Sequence, residues 1–395
     1  MVKNRYVFQL TKISPSILTL FFSFLRLGLT AFGGPAMIAY IKELSVKKTK
    51  WLDEEQFKDG VVLCQSIPGA TAMQMAAYVG LRLKGIGGAL ASYVGFGLPA
   101  FALMLIFSIL FARSRQLPLV QSLFAGLQVI VVAIIARAVY SFGQGLLKNY
   151  RSLLIAALAA LSLGLKISPF LVIPGAALAG VLLFRNQKIP SSSPDLKENQ
   201  GTLNRIILII LILAIGLASL YLVNQPYWVL ALLMMKIDLF AFGGGFTSLP
   251  LMLHEIVGVR GWMDSKTFMD GIALGQVTPG PIVITATFIG YLLYGFWGSL
   301  VSTLSIFTPS FLILIMVQPF FGRLKSSPFF LKATEGILAS FAGLLLYAAI
   351  KFAWVVPWDL FRILLGIAAL VALFKKWDIL YVVLIGSIIS IWMFP

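Results

Sequence analysis

"LTAFGGPAMIAYIKE" occupies residues 29–43 and decides how the rest of the chain is interpreted. The stretch lies in a strongly apolar segment, yet it contains a double glycine and a proline, and it ends in Lys42 and Glu43. A glycine inside a helix costs about 1 kcal/mol relative to alanine, and a proline costs about 3 kcal/mol. A related stretch, "LFAFGGGFTSLPLMLHE", recurs at 239–255. The interruption is therefore a repeated feature of apolar helices in this chain.

The composition predicts a membrane protein. The chain has 395 residues, of which 59% are hydrophobic and 11% are charged, whereas a soluble domain carries roughly 25% charged residues. We therefore predict an all-α, multi-pass protein of the cell (plasma) membrane. The net charge of +17 fits basic loops that orient helices and contact anionic lipid, rather than binding to nucleic acid. Because Cys64 and His254 are each single in the sequence, we expect no disulfide, no metal cluster and no cofactor.

Many apolar runs are long enough to enter or cross a bilayer. They lie near 16–41, 60–82, 86–112, 119–146, 151–165, 168–184, 205–224, 226–250, 268–292, 295–318, 331–355, 358–374 and 378–394. The segment 186–204 is polar and rich in proline and serine, which is typical of a surface linker.

The chain is duplicated. "WLDEEQFKDGVVLCQSIPGA" at 51–70 matches "WMDSKTFMDGIALGQVTPGP" at 262–281, and the FGG and PG motifs recur in the same order. Only the apolar run 205–224 has no counterpart. We predict a first repeat at 1–185, a linker with a connecting span at 186–225, and a second repeat at 226–395, with about six membrane segments in each repeat.

The direction of the second repeat depends on how often the first repeat crosses the membrane. If each copy crosses six times, it ends where it began, and the connecting span inverts the second copy. Inverted repeats around a site at the midplane are a common transporter plan. If 16–41 and 226–250 are instead re-entrant hairpins, this count makes the repeats parallel. The basic residues of the loops fit both arrangements equally, and we favour inversion.

These motifs resemble one known family. Two copies of A-F-G-G-[PG] followed by an acidic residue, then W-[LM]-D…F…D-G and Q-x-x-P-G, resemble the chromate transporter (CHR) family in its long, two-repeat form. The resemblance implies export of chromate from the cytoplasm, driven by an ion or proton gradient. The alternative is a transporter or channel for sulfate or another small anion. Homo-oligomerisation stays open.

An enzyme is the less favoured class. The sequence has no G-x-x-x-x-G-K-[ST] loop, so we expect no ATP hydrolysis by this chain. The apolar runs hold too few histidine, aspartate and glutamate side chains for acid–base catalysis. We therefore assign no catalytic residue.

The interrupted helices are candidate anion sites. A break in a membrane helix frees backbone N–H groups, which must face protein or a water-filled cavity, and the start of the next half-helix carries a positive dipole end. The alternative is that the glycines only allow close helix packing, and that the two glutamines only bond the freed backbone carbonyls. The candidate substrate-binding residues at the breaks are Gly33, Gly34, Gln65, Pro68, Gly69, Gly243, Gly244, Gln276, Pro279 and Gly280.

Charged residues in or beside the apolar runs complete the candidate site. Arg26 and Lys236 align six residues before the two FGG glycine pairs, and a cation inside a membrane is costly and usually functional. We expect them to attract an oxyanion, although Lys236 could instead pair with Asp238. Glu43 and Glu255 match each other if two residues are inserted in the second copy. They are candidates for coupling proton flow to anion movement, or else partners of nearby lysines.

Overall fold

A computed structural model describes residues 15–32, 36–184 and 200–394 of the chain. Within these ranges the secondary structure is helical, apart from one isolated antiparallel bridge between Pro68 and Phe242. The helices are α1 (Ile17–Thr30), α2 (Ala36–Lys42), α3 (Glu54–Ser66), α4 (Thr71–Ser114), α5 (Pro118–Leu146), α6 (Tyr150–Gly164), α7 (Pro169–Leu183), α8 (Gln200–Val223), α9 (Gln225–Phe240), α10 (Ser248–Met252), α11 (Ser265–Val277), α12 (Thr285–Val317), α13 (Phe321–Lys325), α14 (Pro328–Val355), α15 (Leu360–Phe374) and α16 (Ile379–Met393).

Few of these helices are long enough to cross a bilayer alone. Among the described residues, the long apolar helical stretches are Thr71–Ser114, Pro118–Leu146, Ile282–Lys325 and Pro328–Val355. Most of the other apolar helices are short, at 10–17 residues. The fold is therefore an all-α membrane protein, in which several of the predicted membrane segments are half-helices.

The duplication extends to the backbone conformation. α4 and α12 each bend at a glycine with positive φ, Gly85 at +62° and Gly295 at +64°. The turns after α6 and α15 each contain a lysine of positive φ, Lys166 at +63° and Lys376 at +64°. Because non-glycine residues rarely adopt this conformation, its recurrence identifies the two copies as structural repeats. α8 lies between them.

The bend in α4 separates an arm at 71–83 from a long segment at 86–114. The short arm runs antiparallel to α3, because the Tyr78 hydroxyl donates a hydrogen bond of 3.1 Å to the Gln56 carbonyl oxygen, while the two helices are joined at 67–70. α3 therefore starts at the same end of the bundle as Lys84, and we call this end face A. α3 and the arm form a hairpin that turns back inside the protein.

α1 and α2 form a second hairpin from the same face. α1 runs parallel to the long segment of α4, since Ile17 contacts Gly87 and Gly28 contacts Phe96. α1 therefore begins at face A and ends in the interior at Thr30. A π-helical turn (Glu43–Lys48) continues α2, and α3 starts at face A only a few residues later. The chain must therefore return to face A.

The rest of the first repeat makes an even number of crossings. The long segment of α4 leads to the opposite end of the bundle, which we call face B, and α5 returns. The start of α6 lies beside the end of α7, because Arg151 Nη1 donates to the Leu183 carbonyl oxygen at 2.6 Å. α6 therefore leads away from face A and α7 returns to it. The first repeat ends at face A, and α8 carries the chain to face B.

The second repeat is inverted relative to the first. The Tyr93 hydroxyl of α4 bonds to the Phe307 carbonyl oxygen of α12 at 2.7 Å, and Phe111 packs on Phe288 at 5.1 Å between ring centroids. Phe288 lies in the arm before the bend of α12 at Gly295, and Arg115 shares a cleft with Asp264 at the start of α11. The bend of α12 and the start of α11 therefore lie at face B, whereas the equivalent bend of α4 and the start of α3 lie at face A. Inversion is confirmed, but the expectation that re-entrant hairpins would make the repeats parallel is wrong. Each copy contains two hairpins, which replace two of the six expected crossings. Four crossings remain, and because this number is also even, each copy still ends at the face where it began.

Candidate functional site

The tips of the hairpins from the two repeats meet inside the protein. The Gly69 N–H donates to the Ala241 carbonyl oxygen at 2.9 Å, and the Gly280 N–H donates to the Ala31 carbonyl oxygen at 3.1 Å. Gly69 and Gly280 are equivalent, and so are Ala31 and Ala241. Both glycines have positive φ, +117° and +110°. The two hydrogen bonds are related by the pseudo-two-fold axis of the repeats.

A cavity of about 190 Å³ lies beside these tips. Its lining contains no lysine, arginine, histidine, aspartate or glutamate among the described residues. The lining residues are Met37, Ile38, Gln65, Ala70, Thr71, Ala72, Phe142, Gly243, Gly244, Gly245, Phe246, Gly275, Gln276, Thr278, Gly280, Pro281 and Ile282.

Helix N-termini converge on this cavity. Its lining includes early residues of α2 and α4, of the 3₁₀ turn Gly245–Thr247 that leads to α10, and of the 3₁₀ turn Ile282–Ile284 that leads to α12. The first N–H groups of a helix have no acceptor within the helix, and its N-terminus carries about half a positive charge. The described side chains of the cavity carry no formal charge, but the helix N-termini give its walls a positive electrostatic potential.

Two glutamines and two threonines, Thr71 and Thr278, add side-chain polarity. Gln65 and Gln276, which are equivalent, line the cavity, and Gln276 Nε2 is buried with no hydrogen-bond partner among the described residues. An unpaired buried donor costs about 1–3 kcal/mol, which a ligand that accepts the hydrogen bond would recover. Thr71, the first residue of α4, also lines the cavity.

The cavity gathers only part of the residue set that the sequence suggested. Gln65, Gly243, Gly244, Gln276 and Gly280 line it. Pro68, Gly69 and Pro279 form the hairpin tips behind the lining. Gly33 and Gly34 lie outside the described residues. Thr71 and Thr278 were missed, although a hydroxyl within two residues of each P-G break was a usable signal.

The two membrane cations lie away from the cavity lining. Arg26 is on the exposed side of α1. Lys236 Nζ lies 2.7 Å from Glu255 Oε1 and 3.8 Å from the centre of the Phe170 ring. The predicted alternative, pairing of Lys236 with Asp238, does not occur.

Asp238 has a different partner. Its Oδ2 accepts a hydrogen bond of 2.7 Å from the Ser310 backbone N–H, and the residue is 1% exposed. Ser310 follows Pro309 inside α12. The carboxylate therefore stabilises the backbone beside the proline of the neighbouring helix.

The two glutamates are not structurally equivalent. The first π-helical turn ends with the Thr49 N–H bonded to the Leu44 carbonyl oxygen, and the second (Leu253–Val259) ends with the Arg260 N–H bonded to the Glu255 carbonyl oxygen. Glu255 therefore corresponds to Leu44 and not to Glu43, which corrects the sequence alignment.

The two glutamates also differ in environment. Glu43 is 42% exposed and pairs with Lys47 at 3.2 Å. Glu255 is 6% exposed and lies between Lys236 and Arg260, the latter at 3.7 Å. Each glutamate thus has a basic neighbour, as the alternative to a coupling role foresaw.

A family model described as "Chromate transporter" matches residues 18–181 and 228–391, once for each repeat. This chain belongs to the chromate transporter family. It is therefore a membrane transporter and not an enzyme, and the resemblance noted in the sequence is confirmed.

Curated relatives cover most of the chain. It is 43% identical over 379 residues to an uncharacterized transporter of Methanocaldococcus jannaschii, which spans 95% of this chain and 94% of that protein. It is 30% identical to a chromate transport protein of Pseudomonas aeruginosa over 78% of this chain and 73% of that protein. It is 31% identical to a chromate transport protein of Cupriavidus metallidurans over 84% and 81% of the two chains. No solved structure matches the chain.

Proposed function

We propose that this protein is a secondary transporter that exports chromate from the cytoplasm and binds it in the cavity between the hairpin tips. The observation that carries the proposal is the convergence of half-helix N-termini on a cavity whose described lining residues include no acidic side chain. A tetrahedral dianion needs many hydrogen-bond donors, and inverted hairpins supply them from two opposite directions. The curated chromate transport proteins supply the identity of the anion.

Binding by neutral donors suits a substrate that must be released again. Backbone N–H groups and the Gln65 and Gln276 amides compensate part of the dianion's lost hydration. They do not add a full opposite charge, which would hold the anion more tightly in a low-dielectric site. Gly243, Gly244 and Gly280 let the anion approach the backbone closely. Gly33 and Gly34 are proposed to do the same in the first repeat.

The remaining predicted residues act outside the cavity in this proposal. Pro68, Gly69 and Pro279 hold the tips in the shape that exposes the donors. Arg26 and Lys236 raise the local concentration of anions along the path. Glu43 and Glu255 are proposed to couple the movement to protons, since a protonated Glu255 would release Lys236 from its ion pair.

Loop charge supports one orientation of the protein in the membrane. Basic residues at face A include Lys47, Lys48, Lys50, Arg82, Lys84, Lys148, Arg323 and Lys325. Basic residues in the loops and helix ends of face B include Arg113, Arg115, Arg260 and Lys266. Since cytoplasmic loops carry the excess of lysine and arginine, we assign face A to the cytoplasm.

The decisive experiment is chromate uptake by inverted membrane vesicles under an imposed pH gradient, with excess sulfate as competitor. We expect gradient-dependent uptake that sulfate barely reduces, and a strong loss of uptake in the Gln276→Leu variant. Uptake of sulfate without uptake of chromate would overturn the substrate assignment and favour a transporter of another small oxyanion. Chromate flux that never exceeds its own gradient would instead indicate a channel.

A further inference from the structure

The two repeats differ in how far one pair of equivalent helices is buried. Along α3, the Asp59 side chain is 51% exposed and Val62 is 39% exposed. Their counterparts on α11, Asp270 and Ala273, are 7% and 1% exposed. The exposed positions of α3 continue to Gln65, which lines the cavity.

The exposed strip of α3 faces water and not lipid. It carries Glu55, Lys58, Asp59 and Gln65, and charged side chains on a lipid-facing surface would be costly. The strip starts at face A and ends at the cavity. The structure is therefore open towards face A along α3.

On face B, a buried hydrogen bond closes the equivalent route. Gln128 Nε2 of α5 donates to Asp270 Oδ1 of α11 at 2.8 Å, and the two residues are 8% and 7% exposed. This contact joins the first repeat to the second. In the second repeat, the residue equivalent to Gln128 is Leu338, which cannot make such a bond. Asp59, the equivalent of Asp270, instead pairs with Lys325 at the rim of face A, at 3.1 Å.

A cleft of about 400 Å³ reaches this contact from face B. It is lined by Arg115, Lys266 and Arg362 among others, and both Gln128 and Asp270 belong to its lining. Asp270 and the cavity residue Gln276 are six residues apart on α11, which is about 9 Å along a helix. The barrier between the outer cleft and the central cavity is therefore less than two helical turns thick.

We propose that the Gln128–Asp270 hydrogen bond is the gate on face B, and that α11 leaves α5 when the transporter opens to that side. The proposal rests on the transport function argued above. In the opposite state α3 packs inward as α11 does here, so the two repeats exchange their conformations. Gln128 and Asp270 act as positioning residues and do not contact the substrate.

The test measures water access without any substrate. In a Cys64→Ser background, Gln65→Cys and Gln276→Cys are each labelled with a membrane-impermeant thiol reagent applied to one face of sealed vesicles. We expect Gln65→Cys to react from face A, and Gln276→Cys to react slowly from face B. Adding Gln128→Leu should raise the face-B rate by about tenfold, which corresponds to the loss of one hydrogen bond of about 1.4 kcal/mol.

Matched variants keep the outcome decisive. Gln121 lines the same cleft but lies outside the Gln128–Asp270 contact, so Gln121→Leu should leave the labelling rate unchanged. Asp270→Asn should also leave it unchanged, because asparagine retains an acceptor oxygen. Asp270→Ala provides a second way to break the contact. Rapid labelling of Gln276→Cys from face B before any gate change would overturn the proposal, and so would an unchanged rate in both gate variants. Because no chromate is involved, a wrong substrate would leave this result intact.

Discussion

At the scale of single residues, the proposed binding of the anion depends most on the side chain of Gln276. Its amide nitrogen is buried without a hydrogen-bond partner in the described part of the chain, and the residue lines the cavity. Replacing it by leucine removes a donor to a charged ligand, worth about 1.5–3 kcal/mol. We expect Gln276→Leu to raise the KM for oxyanion transport by roughly ten- to a hundredfold, with kcat less affected. Initial uptake rates over a range of substrate concentrations measure this.

The matched control for this substitution is Gln144→Leu. Gln144 is exposed and bonds to the Tyr140 hydroxyl, away from the cavity lining, so its replacement should leave the KM unchanged. If the folded Gln276→Leu variant has the same KM as the unchanged protein, the Gln276 amide does not take part in binding.

The sequence motifs identified the polar residues, but they could not determine which residues of the two repeats are equivalent. Gln65 and Gln276 stand at fixed distances before P-G, so their location at the break was predictable. Glu43 and Glu255 were paired through an assumed insertion, whereas the π-helical turns align Glu255 with Leu44. Such turns accommodate extra residues inside a helix, which no pattern of apolar residues reveals.

At the scale of helices, close packing through small residues holds the bundle together. A Cβ atom added at Gly343 of α14 would lie 1.9 Å from the Ala156 carbonyl oxygen of α6. Such closeness lets two backbones meet without an intervening side chain, as in other membrane helix pairs. We expect Gly343→Ala to force the helices apart and to destabilise the protein by about 1–3 kcal/mol. Its thermal unfolding temperature in detergent should fall.

Gly145→Ala is the control for this prediction. Gly145 lies in α5, and nothing would contact an added Cβ within 4 Å. Alanine favours a helix over glycine by about 1 kcal/mol, so this variant should be neutral or slightly more stable. Equal behaviour of the two variants would mean that α14 and α6 can separate without cost.

The breaks were predictable from sequence, but the course of the chain after each break was not. Glycine and proline mark where a helix stops, and an apolar run has the same composition whether it crosses the membrane or turns back. The hairpins became visible only through contacts such as Tyr78 with Gln56. Tyr78 and Gln56 are 22 residues apart in the sequence and lie on opposite arms of the hairpin.

At the scale of the whole molecule, the hairpins explain why loop charges alone could not decide the topology. Treating 16–41 and 60–82 as simple spans assigns the basic loop between them, at 42–59, to face B instead of face A. Once both are hairpins, Lys47, Arg82 and Lys84 lie together at face A. The charge asymmetry then agrees with the inverted arrangement, which is the geometry that the proposed exchange of conformations between the repeats requires.

Inversion predicts that equivalent positions are accessible from opposite faces. Arg113 and Arg323 are matched arginines, both exposed, near the far ends of α4 and of the α12–α13 stretch. In a Cys64→Ser background, an impermeant thiol reagent should label Arg323→Cys only from face A and Arg113→Cys only from face B. In right-side-out cells, the reagent should therefore reach Arg113→Cys alone, because we assign face A to the cytoplasm. Labelling of both from one side would mean parallel repeats, and labelling of Arg323→Cys alone would keep the inversion but reverse the orientation in the membrane.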